Sequence, residues 1–442
     1  MTDKKYKVRY ATSYNKKVND INSTVPISMS EYKDCPINSA IESKKDHISF
    51  HTPGHNGELS VKDITELSYS GNILSNMGVV EKSTRMASCI YGAENTVYIT
   101  QGATTAIHIA IHALKNHRFL IVGDCHHSVF SAIRLYGVSA YFSPSLDNIS
   151  KDMLAKRSTV LFFTSVDYFG NIVRIPQEIL QNYIVVADES HGGHFNFSSK
   201  LPRSALNDVD ILIHSLHKTM PVLTGGALLH FKKKHNMEIK HSINEIHSTS
   251  PSYLIASSME LAIEDFYING NKYYSCVFDS IDKFSSELDK RFSILPSDDR
   301  SRLVIESEYS GRAVSNFLET QGVFIETSYQ NRIVLIVTPF NYKKLELLSI
   351  LLKNVNELEG YIINHKDIRS PKLRKLLNSH EYEMVNINDS IGRIAFREIG
   401  FYPPCIPILV AGDKITIALA EFIGANAKDL FGLEEDLICV VK

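Results

Sequence analysis

Apolar residues along this chain cluster in short, dense runs. NTVYIT (95–100), RFLIVG (118–123), SAYFS (139–143), TVLFFTS (159–165), YIVVAD (183–188), DILIHS (210–215) and GALLH (226–230) are each bounded by polar residues or glycine. Unbroken runs of this kind suit strands buried on both faces, as in a parallel sheet. Helical spacing fills several gaps between them. TTAIHIAIHALKN repeats its apolar residues at intervals of three and four, and a second helix is expected from Ser128 through Leu135. Strands alternating with helices predict an α/β fold with a mostly parallel, doubly wound, seven-stranded sheet flanked by helices.

The pattern changes twice. Residues 1–48 are polar and read as a surface arm or a partner-docking segment. A helical stretch, YLIASSMELAIEDFYI, follows Ser250-Pro251-Ser252, and beyond it the alternation is less regular, with strands such as RLVIES and RIVLIVT. The expected organisation is an arm (1–48), a large domain (49–265) and a smaller α+β domain (266–442). Neither an internal repeat nor a low-complexity tract is present.

Composition narrows the function classes. The formal charge of −2 over 442 residues offers no electrostatic footprint for nucleic acid or a membrane surface. Six scattered cysteines without a CxxC pair fit a reduced, cytoplasmic protein. The N-terminus, MTDKKYKVRY, lacks the apolar core of a signal peptide, and no apolar run is long enough to span a bilayer.

Candidate chemistry sits where apolar runs turn polar. VVADESHGGH (185–194) ends one strand and delivers Asp188; HSLHKTMPVLTGG (214–226) ends the next and delivers Lys218. An Asp for a pyridinium nitrogen and a Lys for a Schiff base is the pairing that pyridoxal 5'-phosphate (PLP) requires. A partly desolvated pocket favours the uncharged lysine that attacks an aldehyde. His126, in GDCHHSVF, ends another strand and is placed to stack on the cofactor ring, as is the adjacent His127. TQGATTA (100–106) joins a strand to a helix, with Gly102 for the turn and Ala103, Thr104 and Thr105 at a helix N-terminus suited to phosphate. Ser215 is a further phosphate contact. A competing metal-hydrolase reading draws on Asp188, His191, His194, His108 and His112, but no acidic base lies between His108 and His112; the expectation is no metal.

These motifs resemble the fold-type-I (aspartate-aminotransferase-like) PLP-dependent ornithine/lysine/arginine decarboxylases, in their short bacterial form. The resemblance runs from about residue 48 to the C-terminus. FHTPGHNG (50–57) resembles the family's TPGHK-type opening, and DITEL and YGAENTVYITQGAT follow in family order. CHHS resembles CHKS, which selects His126 as the stacking histidine. DESHGGH resembles DEAHGAH, SLHKTMPVLT resembles STHKTLPALT, STSPSYL resembles the TSPSY segment, and YPPCIPILVAGDKIT resembles YPPGIP followed by PGE. The resemblance implies an amino-acid α-decarboxylase, built as a homodimer or larger assembly with active sites at the subunit interface. It places His191 near the ring, His217 beside the lysine, and Thr249 with Ser250 at the partner's phosphate. Within this class an aminotransferase, or another PLP enzyme acting at Cα, is the alternative. A non-catalytic partner subunit is the alternative outside it.

Departures bear on substrate. Gly71 and Asn72 stand where the family commonly has an Asp-Asp or Asp-Asn pair, Arg397 where a Glu precedes YPPGIP, and Cys405 where that motif has Gly. Val166 replaces a proline in TSVDYFG, and Ala411 the proline of PGE. A distal cation on the substrate would be disfavoured by lost acids and a gained arginine. The expected substrate is therefore not free lysine, ornithine or arginine, with His55 and Arg397 as candidate contacts. One setting is the tailoring of an aminocarboxypropyl group on a microcin C-type antibiotic.

Overall fold

A computed structural model describes residues 35–43, 51–53, 55, 63–145, 159–355, 374–376, 381–402 and 405–442. Most of the expected arm, 1–34 and 44–48, lies outside the described residues; the part within them forms helix α1 (Pro36–Ser43). No helix among the described residues is long and apolar enough to cross a membrane.

All seven expected strands form, each with ends within a residue of the apolar run that predicts it. They are β1 (Asn95–Ile99), β2 (Phe119–Val122), β3 (Ala140–Ser143), β4 (Val160–Thr164), β5 (Ile184–Asp188), β6 (Ile211–His214) and β7 (Ala227–Phe231). Their order in the sheet is β1-β7-β6-β5-β4-β2-β3. Strands β2 to β6 run parallel, whereas β7 is antiparallel to both β1 and β6. A two-residue strand, β12 (Arg374–Lys375), adds an eighth member to the β3 edge, so the sheet is one strand wider than the sequence predicts. That pairing joins residues far apart in sequence and carries no local apolar run.

Burial on both faces explains the unbroken apolar runs: every residue of β2, β6 and β7 is buried. On one face, Ile99, Phe119, Ile121, Phe162, Val186 and Leu229 pack against helices α3 (Gly102–Ala113), α4 (His127–Leu135) and α5 (Asn236–Ile246). On the other, Tyr98 and Leu228 meet α2 (Val79–Tyr91) and the 35-residue helix α6 (Tyr253–Glu287).

Helix α6 connects the two parts of the molecule. The side-chain oxygen of Ser252 accepts from Ile255 N at 3.3 Å and caps its start. Its first half, through Phe266, packs under the large sheet; Tyr274, Val277, Phe278, Ile281 and Phe284 then pack against an antiparallel sheet ordered β10-β11-β9-β8. Those strands are β8 (Phe292–Leu295), β9 (Arg302–Ser307), β10 (Thr327–Tyr329) and β11 (Arg332–Ile336). One hydrophobic cluster runs the length of the helix, so the second sheet is fixed relative to the first. Among the described residues beyond these, the strands form a pair, β13 (Tyr382–Asn386) with β17 (Leu437–Val441), and a trio in which β14 (Ile399–Phe401) lies between β15 (Ile406–Leu409) and β16 (Leu430–Phe431).

Gly270 marks the closest approach to α6. An added Cβ there would lie 2.4 Å from Phe197 O and 2.8 Å from Phe197 Cβ. Alanine gains about 1 kcal/mol of helix propensity over glycine, but overpacking costs about 1–3 kcal/mol. Gly270→Ala is expected to be destabilising, with a lower urea midpoint at unchanged denaturant slope. A raised midpoint would show that Phe197 yields easily.

Candidate active site

Strands β4, β5 and β6 end along one edge of the sheet, with Thr164 opposite Asp188 and Asp188 opposite Ile213. Asp188 is 4% exposed. Its Oδ1 accepts from Ser190 N at 3.0 Å and from the Ser190 hydroxyl at 2.6 Å. Neither bond involves Oδ2. Beyond β6 the chain tightens into a short turn in which Lys218 N donates to Ser215 O at 3.1 Å. This turn brings Lys218 Nζ to 3.1 Å from His191 Nε2. Burial draws the Lys218 ammonium below the ordinary lysine range; the Asp188 charge opposes this and the Arg302 charge adds to it.

His191, three residues past Asp188, is buried between two cationic side chains. Its Nδ1 faces Arg302 Nη2 within hydrogen-bond distance. Burial, then the charges of Lys218 and Arg302, hold its imidazole well below the usual histidine range. Arg302 comes from β9 in the second sheet and is 2% exposed. Its guanidinium carbon lies 5.9 Å from the ring centre of Tyr168, whose ring meets His191 edge-on at 5.2 Å. The Tyr168 hydroxyl donates to the Glu326 carboxylate.

His126 is the N-cap of α4, its Nδ1 accepting from Ser128 N at 3.2 Å. Burial lowers its pKa to about 3, and Lys218 is among the charges acting on it. His217 Nδ1 lies 3.3 Å from Gly226 O and 3.4 Å from the Ser215 hydroxyl, and Ser215 itself is buried. Gly102 opens α3 at a φ of +85°, with nothing within 4 Å of where a Cβ would sit, and donates to Gly225 O at 2.7 Å. No side chain caps α3, so the amides of Ala103 and Thr104 in its first turn lack an intrahelical or side-chain cap partner. The Thr105 hydroxyl donates to Gln101 O at 3.2 Å. Thr249 is exposed beside this turn, because Ser248 N donates to Gln101 Oε1 at 2.8 Å.

Two further residues are the candidate substrate contacts. Arg397 is 42% exposed; its guanidinium lies over the Tyr382 ring at 5.4 Å from the centre and 3.8 Å from Glu434. The neighbouring Glu398 is the residue turned inward. Glu398 is 5% exposed and accepts from Arg134 Nη1 at 2.7 and 2.9 Å. Arg397 is thus half-exposed within this chain whereas Glu398 is buried. His55 Nε2 lies 3.9 Å from Asp63; Gly54, Asn56 and Gly57 of its motif lie outside the described residues, as do Pro403 and Pro404.

The histidines of the metal reading are engaged elsewhere. His108 lies 3.2 Å from the Tyr136 hydroxyl, His112 Nδ1 2.9 Å from Ser242 Oγ, and His194 Nε2 3.3 Å from Asp299. The trio of potential ligand atoms found among the described residues is a different one, His126, His127 and Cys405.

Sequence reasoning missed Arg302, Tyr168 and Glu326. Arg302 had a local signal, a charged residue opening the apolar run RLVIES. Nothing local connects that strand to β5.

A half-buried Lys and a buried Asp at the carboxyl ends of adjacent parallel strands, in a seven-stranded core with β7 reversed, match the fold-type-I, aspartate-aminotransferase-like architecture. Residues 148–294 match the family model described as Orn/Lys/Arg decarboxylase, major domain. The uncharacterized protein YaaO of Bacillus subtilis is 26% identical over 431 residues, covering 84% of this chain and 90% of YaaO. An arginine decarboxylase of Halalkalibacterium halodurans is 23% identical over 468 residues, covering 90% and 94%. Among solved structures, the Francisella novicida lysine decarboxylase LdcF shares the fold with a TM-score of 0.76 at 15% identity, over 92% of this chain and 81% of LdcF. These similarities are consistent with a divergent relative of the Orn/Lys/Arg decarboxylases.

The environment of His126 has a consequence for acid stability. Its folded pKa of about 3 lies below the ordinary 6.5, so its contribution is full above pH 6.5 and declines as pH falls toward 3. Each pH unit in that window is worth up to about 1.4 kcal/mol. His126→Phe loses the Ser128 cap, about 1 kcal/mol, but should show a shallower fall in urea midpoint on acidification than wild type. Equal slopes would mean that His126 titrates normally in the fold.

Proposed function

We propose that this chain is a PLP-dependent α-decarboxylase of an amino acid or amino-acid-like group, releasing carbon dioxide and an amine. The observation that carries the reading is the pairing, at adjacent strand ends, of buried Asp188 with a half-buried Lys218 whose amine is drawn toward its uncharged form. The residues fit the cofactor. Oδ2 of Asp188 is available to the pyridine nitrogen, and the open space at Gly102 with the uncapped amides of α3 suits a phosphate. When bound, PLP supplies the electron sink for the bond broken at Cα.

The protein's own residues bind and orient. Lys218 supplies the amine that condenses with the cofactor aldehyde. His126, neutral and fixed by Ser128, stacks on the ring face. Gly102, Ala103, Thr104, Thr105 and Ser215 hold phosphate, with Thr249 contributed across a homodimer interface. His191 lines the ring edge, and His217 stands beside Lys218 to hold a proton near the reacting carbon. In this reading residues 49–265 form the PLP-binding domain and 266–442 the α+β domain of a cytoplasmic enzyme.

The substrate is proposed to carry a neutral or anionic distal part. The half-exposed position of Arg397 beside Glu434 removes one support for this, and the Gly71–Asn72 loop remains. A Cβ at Gly71 would sit 2.3 Å from Met77 O, so the loop as built leaves no room for an acidic side chain at 71. Gly71 O instead accepts from the Tyr253 hydroxyl at 2.7 Å.

A single titration tests both levels of the reading. Purified protein with PLP should show a visible absorption band that Lys218→Ala alters, and carbon dioxide release should fall by orders of magnitude in Lys218→Ala and Asp188→Asn. Absence of any band after adding PLP would favour a non-catalytic subunit. Efficient turnover of lysine, ornithine or arginine would end the altered-substrate reading while leaving the decarboxylase intact.

A further inference from the structure

A guanidinium has five N–H donors and no acceptor. Where Arg302 Nη2 meets His191 Nδ1, the imidazole nitrogen must therefore accept, and it carries no proton. An imidazolium would carry protons on both nitrogens, so His191 is neutral with its single proton on Nε2. That nitrogen lies 3.1 Å from Lys218 Nζ. An ammonium offers only donors, whereas an uncharged amine has a lone pair that can accept. We propose that Arg302 is a positioning residue: by fixing the Nε2–H tautomer of His191, it shifts Lys218 from the ammonium toward the free amine, the nucleophilic form.

The surroundings keep this donor chain in place. Arg302 N donates to Asp299 O at 2.9 Å. The arginine stem also packs against Gly170, where a Cβ would come within 2.7 Å of Arg302 Cβ. Tyr168 lies against both the guanidinium and the His191 ring, with its hydroxyl tied to Glu326. The charges that act on Lys218 come from several elements: Asp188 at the end of β5, Arg302 on β9, Glu326 ahead of β10, and Cys405 between β14 and β15. His126 at the start of α4 and His191 also face it. The two carboxylates favour the ammonium, and the donor chain opposes them. The inference concerns the protein's own proton arrangement and does not depend on which reaction the site performs.

The test uses the full chain after removal of any bound carbonyl compound with hydroxylamine. Nitrogen NMR of isotope-labelled histidine, with His191 assigned by its loss in His191→Phe, should show a pyridine-type Nδ1 and a protonated Nε2. Competitive acetylation with acetic anhydride, read at the Lys218 peptide by mass spectrometry across neutral to alkaline pH, gives the amine's midpoint. In wild type it should fall at least about one unit below the ordinary lysine value of about 10.4. Arg302→Met should raise the midpoint by about one unit, a tenfold loss of free amine at neutral pH. His191→Phe keeps the Arg302 charge and should raise it as well, which separates the hydrogen-bond chain from simple charge repulsion. A proton on Nδ1 in wild type, or an unchanged midpoint in His191→Phe, overturns the proposal. If Arg302→Met fails to fold, the wild-type tautomer and His191→Phe still decide it.

Discussion

The parallel pairing of β5 with β6 fixes the geometry on which the site depends. The ladder aligns Val186 with Ile211, Ala187 with Leu212 and Asp188 with Ile213. Glu189 N continues it by donating to Ile213 O at 2.9 Å. A parallel pair cannot slip by one residue without turning its buried side chains to the other face, and both faces here are packed. Asp188 and the turn that carries Lys218 thus stand at neighbouring strand ends because Val186, Leu212 and Ile213 cannot move.

Glu189 locks that ladder from below. This buried carboxylate accepts from Ser165 Oγ at 2.8 Å, Ala205 N at 2.9 Å and His214 Nε2 at 3.0 Å, and from the Ser204 hydroxyl. His214 Nδ1 then meets His230 Nε2 at 3.2 Å, and His230 Nδ1 meets Thr96 Oγ1 at 2.8 Å. The chain crosses from β5 through β6 and β7 to β1 within the buried sheet. Buried polar groups satisfied in this way are costly to break singly, since removing one partner strands another. The network therefore ties the active-site edge to the reversed strand β7 as well as to its parallel neighbours.

Much of this was legible in the sequence because it is local. Each strand of the large sheet is a contiguous apolar run, and Asp188 and Lys218 are the polar residues that end two of them. His126 is legible as the histidine that ends β2's run, whereas its role as the cap of α4 appears only in the fold. The second half of the site is not local. Arg302 and Glu326 reach His191 and Lys218 only because α6 carries the second sheet back over the first, and Tyr168 joins them from the loop after β4. Arg397 and Glu398 illustrate the other limit. A motif comparison places the departure at 397, whereas only the fold shows that Arg397 is half-exposed beside Glu434 and that the next residue, Glu398, is buried against Arg134.

The protonation state of Lys218 shows how local and non-local constraints combine. Burying an ammonium disfavours its charge by up to about 3–5 pKa units. At Lys218 burial is the largest influence; the Asp188 and Glu326 charges oppose it and the Arg302 charge adds to it, leaving the ammonium below the ordinary lysine range. The direction of hydrogen bonding acts on top of these charges. A lysine at position 302 would not serve, because a buried lysine can give up its proton and become an acceptor. A guanidinium cannot, so it imposes one tautomer on His191 whatever the pH within the protein's working range. The arginine, contributed by the second sheet, thereby determines the chemistry of a lysine on the first.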